Sequence, residues 1–76
     1  ATADKVSYRL LEIDPVSKTA VIEVENTAFI GKCWVTSRKN GVRFNSNFID
    51  LLPGTHRFYI TFETLPVESD FELIWL

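Results

Sequence analysis

Methionine is absent from the 76 residues, cysteine and histidine occur once each, and glycine and proline three times each. Each shortage removes a class of protein. A single cysteine, Cys33, cannot close a disulfide within the chain, which excludes the disulfide-framed secreted scaffolds common at this size. The lone histidine, His56, would need carboxylates or Cys33 to complete a metal site, and the spacing offers no such set, so no metal or cofactor is expected. No Asn-x-Ser/Thr acceptor is present. No apolar run approaches the ~20 residues that span a bilayer, and none has the helical amphipathicity to lie on one, so a soluble chain with no membrane partner is expected. Eight basic against ten acidic residues leave a net charge of -2. With no basic stripe, nucleic acid is excluded as a partner. The lack of methionine and of an amino-terminal apolar run predicts a chain excised or processed from a larger protein.

What is present is β-branched and aromatic residues at a period close to two. Val6, Tyr8 and Leu10 alternate with Lys5, Ser7 and Arg9 in a first strand that Asp14-Pro15 ends. Ala20, Ile22 and Val24 alternate with Val21, Glu23 and Glu25 in a second. A third, from Phe29 to Arg38, carries Cys33 and Val35 on one side and Ile30, Trp34 and Thr36 on the other, and both sides have apolar claims on the core. Asn40-Gly41 predicts a type I′ hairpin that folds Val42 to Phe44 back on Ser37 to Lys39. After a bend at Asn45-Ser46-Asn47, Phe48 to Leu52 run extended, and Pro53 and Gly54 fit the central positions of a type II turn. Phe58, Ile60 and Phe62 alternate with polar neighbours, and Phe71, Leu73 and Trp75 with Glu72, Ile74 and Leu76, in the two last strands. About seven short strands with turns at this spacing predict an all-β fold, a small sandwich with a small barrel as the alternative. The chain is long enough for one domain, residues 1–76, and buries only about 62% of its unfolded surface. Such a domain is expected to lean on neighbours.

One run can be compared with families. Phe44 to Gly54 reads FNSNFIDLLPG and resembles a segment near the carboxyl end of β-mannosidase-type family-two glycoside hydrolases. Phe44, Asn47, Phe48, Asp50, Leu51, Leu52, Pro53 and Gly54 agree with that family's string. Asn45-Ser46 replaces a Ser-Asp pair, Ile49 an aromatic and Thr55 an acid. Val24 to Asn26 supply a similar Val-Glu-Asn run. The resemblance implies a carboxyl-terminal immunoglobulin-like β-sandwich, an accessory domain with no catalytic residues of its own. In that family a separate barrel hydrolyses β-linked mannosides with two carboxylates. By the same analogy the compartment is lysosomal, or periplasmic or extracellular in bacteria.

The candidate site residues each have a plainer reading. The acids, Asp4, Glu12, Asp14, Glu23, Glu25, Asp50, Glu63, Glu68, Asp70 and Glu72, read as solvated strand faces and loops rather than a catalytic pair. Within the motif, Asp50 and Asn47 read as acceptors for backbone amides beside a turn. His56 reads as an ordinary edge histidine, and Cys33 as a small buried hydrophobe. Tyr8, Trp34, Tyr59 and Trp75 are candidates for stacking a sugar, with Trp34 and Tyr59 the outward pair and an oligosaccharide the implied ligand. Ile49, Leu51, Ile74 and Leu76 are expected to form an apolar face that docks on other domains of the parent.

Overall fold

In the computed structural model residues 6–28 and 30–76 are described. The expected faces at Lys5 and Phe29, and the acid Asp4, lie outside them. Among the described residues seven strands form, in chain order β1 (Val6–Asp14), β2 (Thr19–Asn26), β3 (Gly31–Ser37), β4 (Val42–Phe44), β5 (Phe48–Leu51), β6 (Gly54–Phe62) and β7 (Phe71–Trp75). They pair antiparallel into a four-stranded sheet, β1-β2-β6-β4, and a three-stranded sheet, β5-β3-β7. The result is a small antiparallel β-sandwich that shares the four-over-three layering of immunoglobulin-like domains, with the fifth and sixth strands exchanged between the sheets. In this chain β6 lies beside β2, and β5 lies beside β3.

Alternation explains the core. Val6, Ile22, Val24, Phe58, Ile60 and Phe62 point inward from one sheet, and Cys33, Val35, Leu51 and Phe71 from the other. Phe44 and Phe71 meet edge to face across the gap, with ring centroids 6.3 Å apart, a geometry that the ring quadrupoles favour. The longest ladder joins β2 to β6, from Thr19↔Thr61 to Asn26↔Gly54. Only β1 and β2 are joined as neighbours in one sheet. There the Asp14 carboxylate accepts from the amides of Val16 at 3.0 Å and Ser17 at 3.3 Å, an Asx-type closure that lets the chain turn behind Pro15. Lys18 completes the turn in the left-handed region at φ 59°.

In the middle of the chain two expectations are corrected and one open assignment is settled. First, Asn40-Gly41 does not close a hairpin between β3 and β4. Val42 and Phe44 pair instead with Phe62 and Ile60 of β6, because β3 already has β5 on one side and β7 on the other. Gly41 sits at φ 81° and Asn40 is not left-handed, so the segment is a crossing between sheets rather than a type I′ turn. A Cβ on Gly41 would come within 3.2 Å of the Glu63 side chain. Second, the ambiguity of the third strand is resolved. Cys33 and Val35 are buried, while Lys32, Trp34 and Thr36 face out. Third, the faces of β5 are reversed from the expected docking arrangement. Leu51 is fully buried and Ile49 packs against the core, whereas Phe48 and Asp50 point out. The pairs Cys33↔Ile49 and Gly31↔Leu51 put both aliphatics on the side that Cys33 fixes as inward.

The Pro-Gly corner does turn the chain, from β5 in one sheet to β6 in the other. Gly54 has φ 125°, well beyond the roughly +80° of a type II turn. His56 Nε2 lies 2.7 Å from the Leu52 carbonyl and braces the corner in place of a closed four-residue turn.

Candidate functional site

The two outer faces of the sandwich carry the chemistry. On the three-stranded sheet the outward residues fall into rows across the strands. Phe48, Trp34 and Ile74 form one row. Asp50, Lys32 and Leu76 form the next, since Lys32 and Leu76 exchange backbone hydrogen bonds of 3.0 Å. Trp34 and Phe48 are in contact, their centroids 5.0 Å apart and their planes tilted by 49°. The Lys32 ammonium sits 5.7 Å from the Phe48 ring centre, within cation–π range, and 2.8 Å from Asp50 Oδ1. Phe48 is 38% exposed, Ile74 40% and Leu76 74%. An apolar outer face therefore exists, but half of its expected members are different: Trp34 and Phe48 take the places of Ile49 and Leu51.

The motif residues act differently from their expected roles. Asp50 accepts from Lys32 across the strand pair rather than from a turn amide. Asn47 contributes its backbone carbonyl to the Val35 amide at 3.0 Å, and the Ser46 hydroxyl donates to the Phe48 carbonyl. Phe44 fills the core edge, and Pro53 and Gly54 are exposed at the corner. One feature of the run is hidden in the sequence. Gly54 pairs with Asn26, Thr55 with Glu25 and His56 with Val24, so the FNSNFIDLLPG and Val-Glu-Asn segments end side by side. Asn26 is itself buried, and among the described residues no buried side-chain nitrogen or oxygen lacks a hydrogen-bond partner.

The outer face of the four-stranded sheet is polar. Arg57 donates to Glu23 Oε2 from Nε and Nη2, at 3.2 and 3.0 Å, and to Glu12 from Nη1 at 2.9 Å. Arg9 lies 3.4 Å from the other Glu23 oxygen. The hydrogen bonds from Glu23 and the charge of Glu12 raise the Arg57 pKa still further above its usual range. Glu12 reaches this position because β1 bulges between Leu11 and Asp14 and Glu12 takes φ 53° there, the kind of kink that re-aims a side chain. Beside the network, an open hollow of about 480 Å³ is floored by Val21 and rimmed by Tyr59, Arg43, Asn45, Thr61 and Glu12. Among the described residues Arg43 makes no ion pair or hydrogen bond through its side chain.

Trp34 and Tyr59 both face outward, but from different sheets on opposite sides of the molecule, so they cannot form one platform. Tyr8 and Trp75 pack against the core, and the Tyr8 hydroxyl donates to the Phe71 carbonyl at 3.0 Å. Burial pushes the Cys33 thiol up to about 11, which keeps it protonated and a poor nucleophile at neutral pH. Among the described residues no group of three or more His, Cys, Asp and Glu is placed to hold a metal ion. Among the same residues no helix is long and apolar enough to cross a membrane.

The chain matches no family model, and no curated protein and no solved structure aligns with it significantly. The resemblance to β-mannosidase-type hydrolases rests on the residues quoted for it. The hollow at Tyr59 and the arginine network have no motif in the sequence. Their only signal is the opposite charge of Glu23 and Arg57, which becomes legible once those residues are known to pair across β2 and β6.

Proposed function

We propose that the chain is a non-catalytic accessory domain of a larger enzyme, docked on its neighbours through the outer face of β5-β3-β7. The observation that carries this reading is the row Phe48, Trp34 and Ile74, continued by Leu76. Apolar side chains contiguous across three strands are a surface that a water-facing sheet avoids. The Lys32–Asp50 pair within the face adds a fixed point of both charges that can orient a partner.

The parent we infer is a β-mannosidase-like glycoside hydrolase that cleaves β-linked mannosides in a separate barrel. Support comes from FNSNFIDLLPG, from Val-Glu-Asn, and from the adjacency of the two in space. The reading frame that contains the chain is expected to encode a barrel with a pair of catalytic carboxylates, and a frame without one overturns the parent. Within that parent, Ile74→Lys with Leu76→Lys should lower the melting temperature while leaving the 76-residue chain itself unaffected. Equal melting temperatures for parent and variant would remove the docking role.

The hollow at Tyr59 favours a second reading, a carbohydrate-binding module. An exposed ring set among amide, hydroxyl and guanidinium groups suits a sugar, which offers apolar C–H faces and hydroxyl edges together. Manno-oligosaccharides should then shift the amide resonances of Tyr59 and Asn45 in a saturable way. A flat titration to millimolar sugar excludes it.

A further inference from the structure

A β-sandwich of this order has four edge strands, β1 and β4 in one sheet and β5 and β7 in the other. Three of them are blunted. β4 has three residues and β5 four, too few to template a long pairing. β1 is interrupted by its bulge, and its Leu10 amide is occupied by Glu68 Oε2 at 3.3 Å. β7 has none of these defences. Its ladder with β3 runs without a shift from Ser37↔Phe71 to Cys33↔Trp75, and it contains neither proline nor lysine.

The phase of that ladder shows which backbone groups are left over. Lys32 and Leu76 exchange amide-to-carbonyl bonds, so by alternation Ile74 and Glu72 also turn their peptide groups toward β3. Phe71, Leu73 and Trp75 turn theirs to the open side. Phe71 is satisfied there, its amide by the Glu68 carbonyl and its carbonyl by the Tyr8 hydroxyl. Among the described residues, the amides and carbonyls of Leu73 and Trp75 meet no partner. Below them, between β7 and β1, lies a groove of about 600 Å³ whose apolar lining is Val6, Tyr8, Phe71, Leu73 and Trp75.

An occupant of this place must meet two demands together. It must supply backbone donors and acceptors at strand spacing, and it must send apolar side chains into the groove at every second residue. A helix fails the first demand and a polar strand the second. The opposite side chains of such an occupant would lie next to Ile74 and Leu76, extending the apolar outer face without a break. At the far end Arg38 and Glu72, 3.9 Å apart, present one charge of each sign, so no net charge is required of it there.

We propose that the edge of β7 takes up an eighth strand, an extended segment of a partner polypeptide with apolar residues at alternate positions. The proposal stands whether or not the parent is a hydrolase, and its test reads the edge alone. Two synthetic peptides, one alternating Val with Thr and one Leu with Thr, each ending in Lys, are titrated into the 76-residue chain and amide hydrogen exchange is followed. Exchange at Leu73 and Trp75 should slow by about tenfold or more, with the β4 and β5 amides unchanged. Leu73→Pro removes an open-side amide at an edge position where proline is tolerated, and should abolish the protection of Trp75. Should that variant not fold, Trp75→Lys decides, since a charge in the groove should weaken peptide binding by about tenfold. Protection by neither peptide overturns the proposal, as does protection spread equally over β4 and β5. A dimer that protects the same amides without peptide would give the edge to a second copy and overturn it too.

Discussion

The two outer faces of this sandwich are built from the same strand alternation and end in opposite chemistry. On β1-β2-β6-β4 the outward positions hold Arg9, Glu23, Arg57 and Glu12 in one connected network. On β5-β3-β7 they hold Phe48, Trp34, Ile74 and Leu76 around the Lys32–Asp50 pair, with the Arg38–Glu72 pair at one end. The first face is finished against water, with all of its charges but Arg43 paired among the described residues. The second leaves apolar side chains in water. A domain with two water-facing sheets would show alternation to polar residues on both, so the contrast is what supports docking through this face in the function we propose.

The two faces are divided by which side of β5 is inward, and the largest effect is expected there. Leu51→Ser removes a fully buried side chain and leaves a hydroxyl in its place, and should cost about 4 kcal/mol in urea denaturation. A cost under about 0.5 kcal/mol would put Leu51 on the surface and undo the division into faces. Next in size is the polar face. The Glu23 side chain is only 13% exposed and serves two arginines, so Glu23→Gln should destabilise by about 1 kcal/mol, more than an exposed pair would. Because part of that is screened, the difference should shrink in molar salt.

Smaller still is the effect of charging the apolar face in isolation. Ile74→Lys with Leu76→Lys should change the stability of the isolated chain by no more than about 0.5 kcal/mol, while reducing its binding of a hydrophobic dye. A large loss of stability would mean that these residues belong to the core. The smallest effect concerns Asp14, whose pKa is lowered by the Ser17 side chain and by the amides of Val16 and Ser17. A depressed folded-state value means that its contribution is present above the ordinary 3.8 and lost as pH falls through the folded value. Carboxyl titration by NMR should place Asp14 below 3.8, and Asp14→Asn should remove that part of the acid response. An unshifted Asp14 would mean that the β1–β2 turn is open in solution.

Much of the fold is legible because inward and outward residues differ in kind along β2 and β6. Ala20, Ile22 and Val24 against Glu23 and Glu25, and Phe58, Ile60 and Phe62 against Arg57 and Thr61, leave one arrangement that avoids burying charge. The same rule leaves β3 undecided, and on β5 the apolar bulk of Phe48 and Leu52 outweighs Asp50 between them, so an outward Phe48 looks as well suited to a core as Leu51 does. The crossing at Asn40-Gly41 escapes for a different reason. Local turn preference favours a hairpin, but pairing of β3 with both β5 and β7 leaves β4 no place beside it. Trp34 and Tyr59 do face outward as expected, and no local signal says that they leave by opposite faces. The hollow and the edge of β7, open among the described residues, depend on which strands are neighbours, which single-chain periodicity does not encode.

After the first hairpin the chain changes sheet at every connection, from β2 to β3 and onward to β7. This has a kinetic meaning. No strand after β2 is held by its predecessor, so each must wait for a loop to close around a distant partner, which slows folding and makes it all-or-none. During synthesis β3 would find β5 first and β7 last, and β2 would stay exposed on one side until β6 emerged. β7, Phe71 to Trp75, would thus act as the latch that completes the smaller sheet, and a ribosome that stalled before it would leave Cys33 and Val35 without one of their flanking strands.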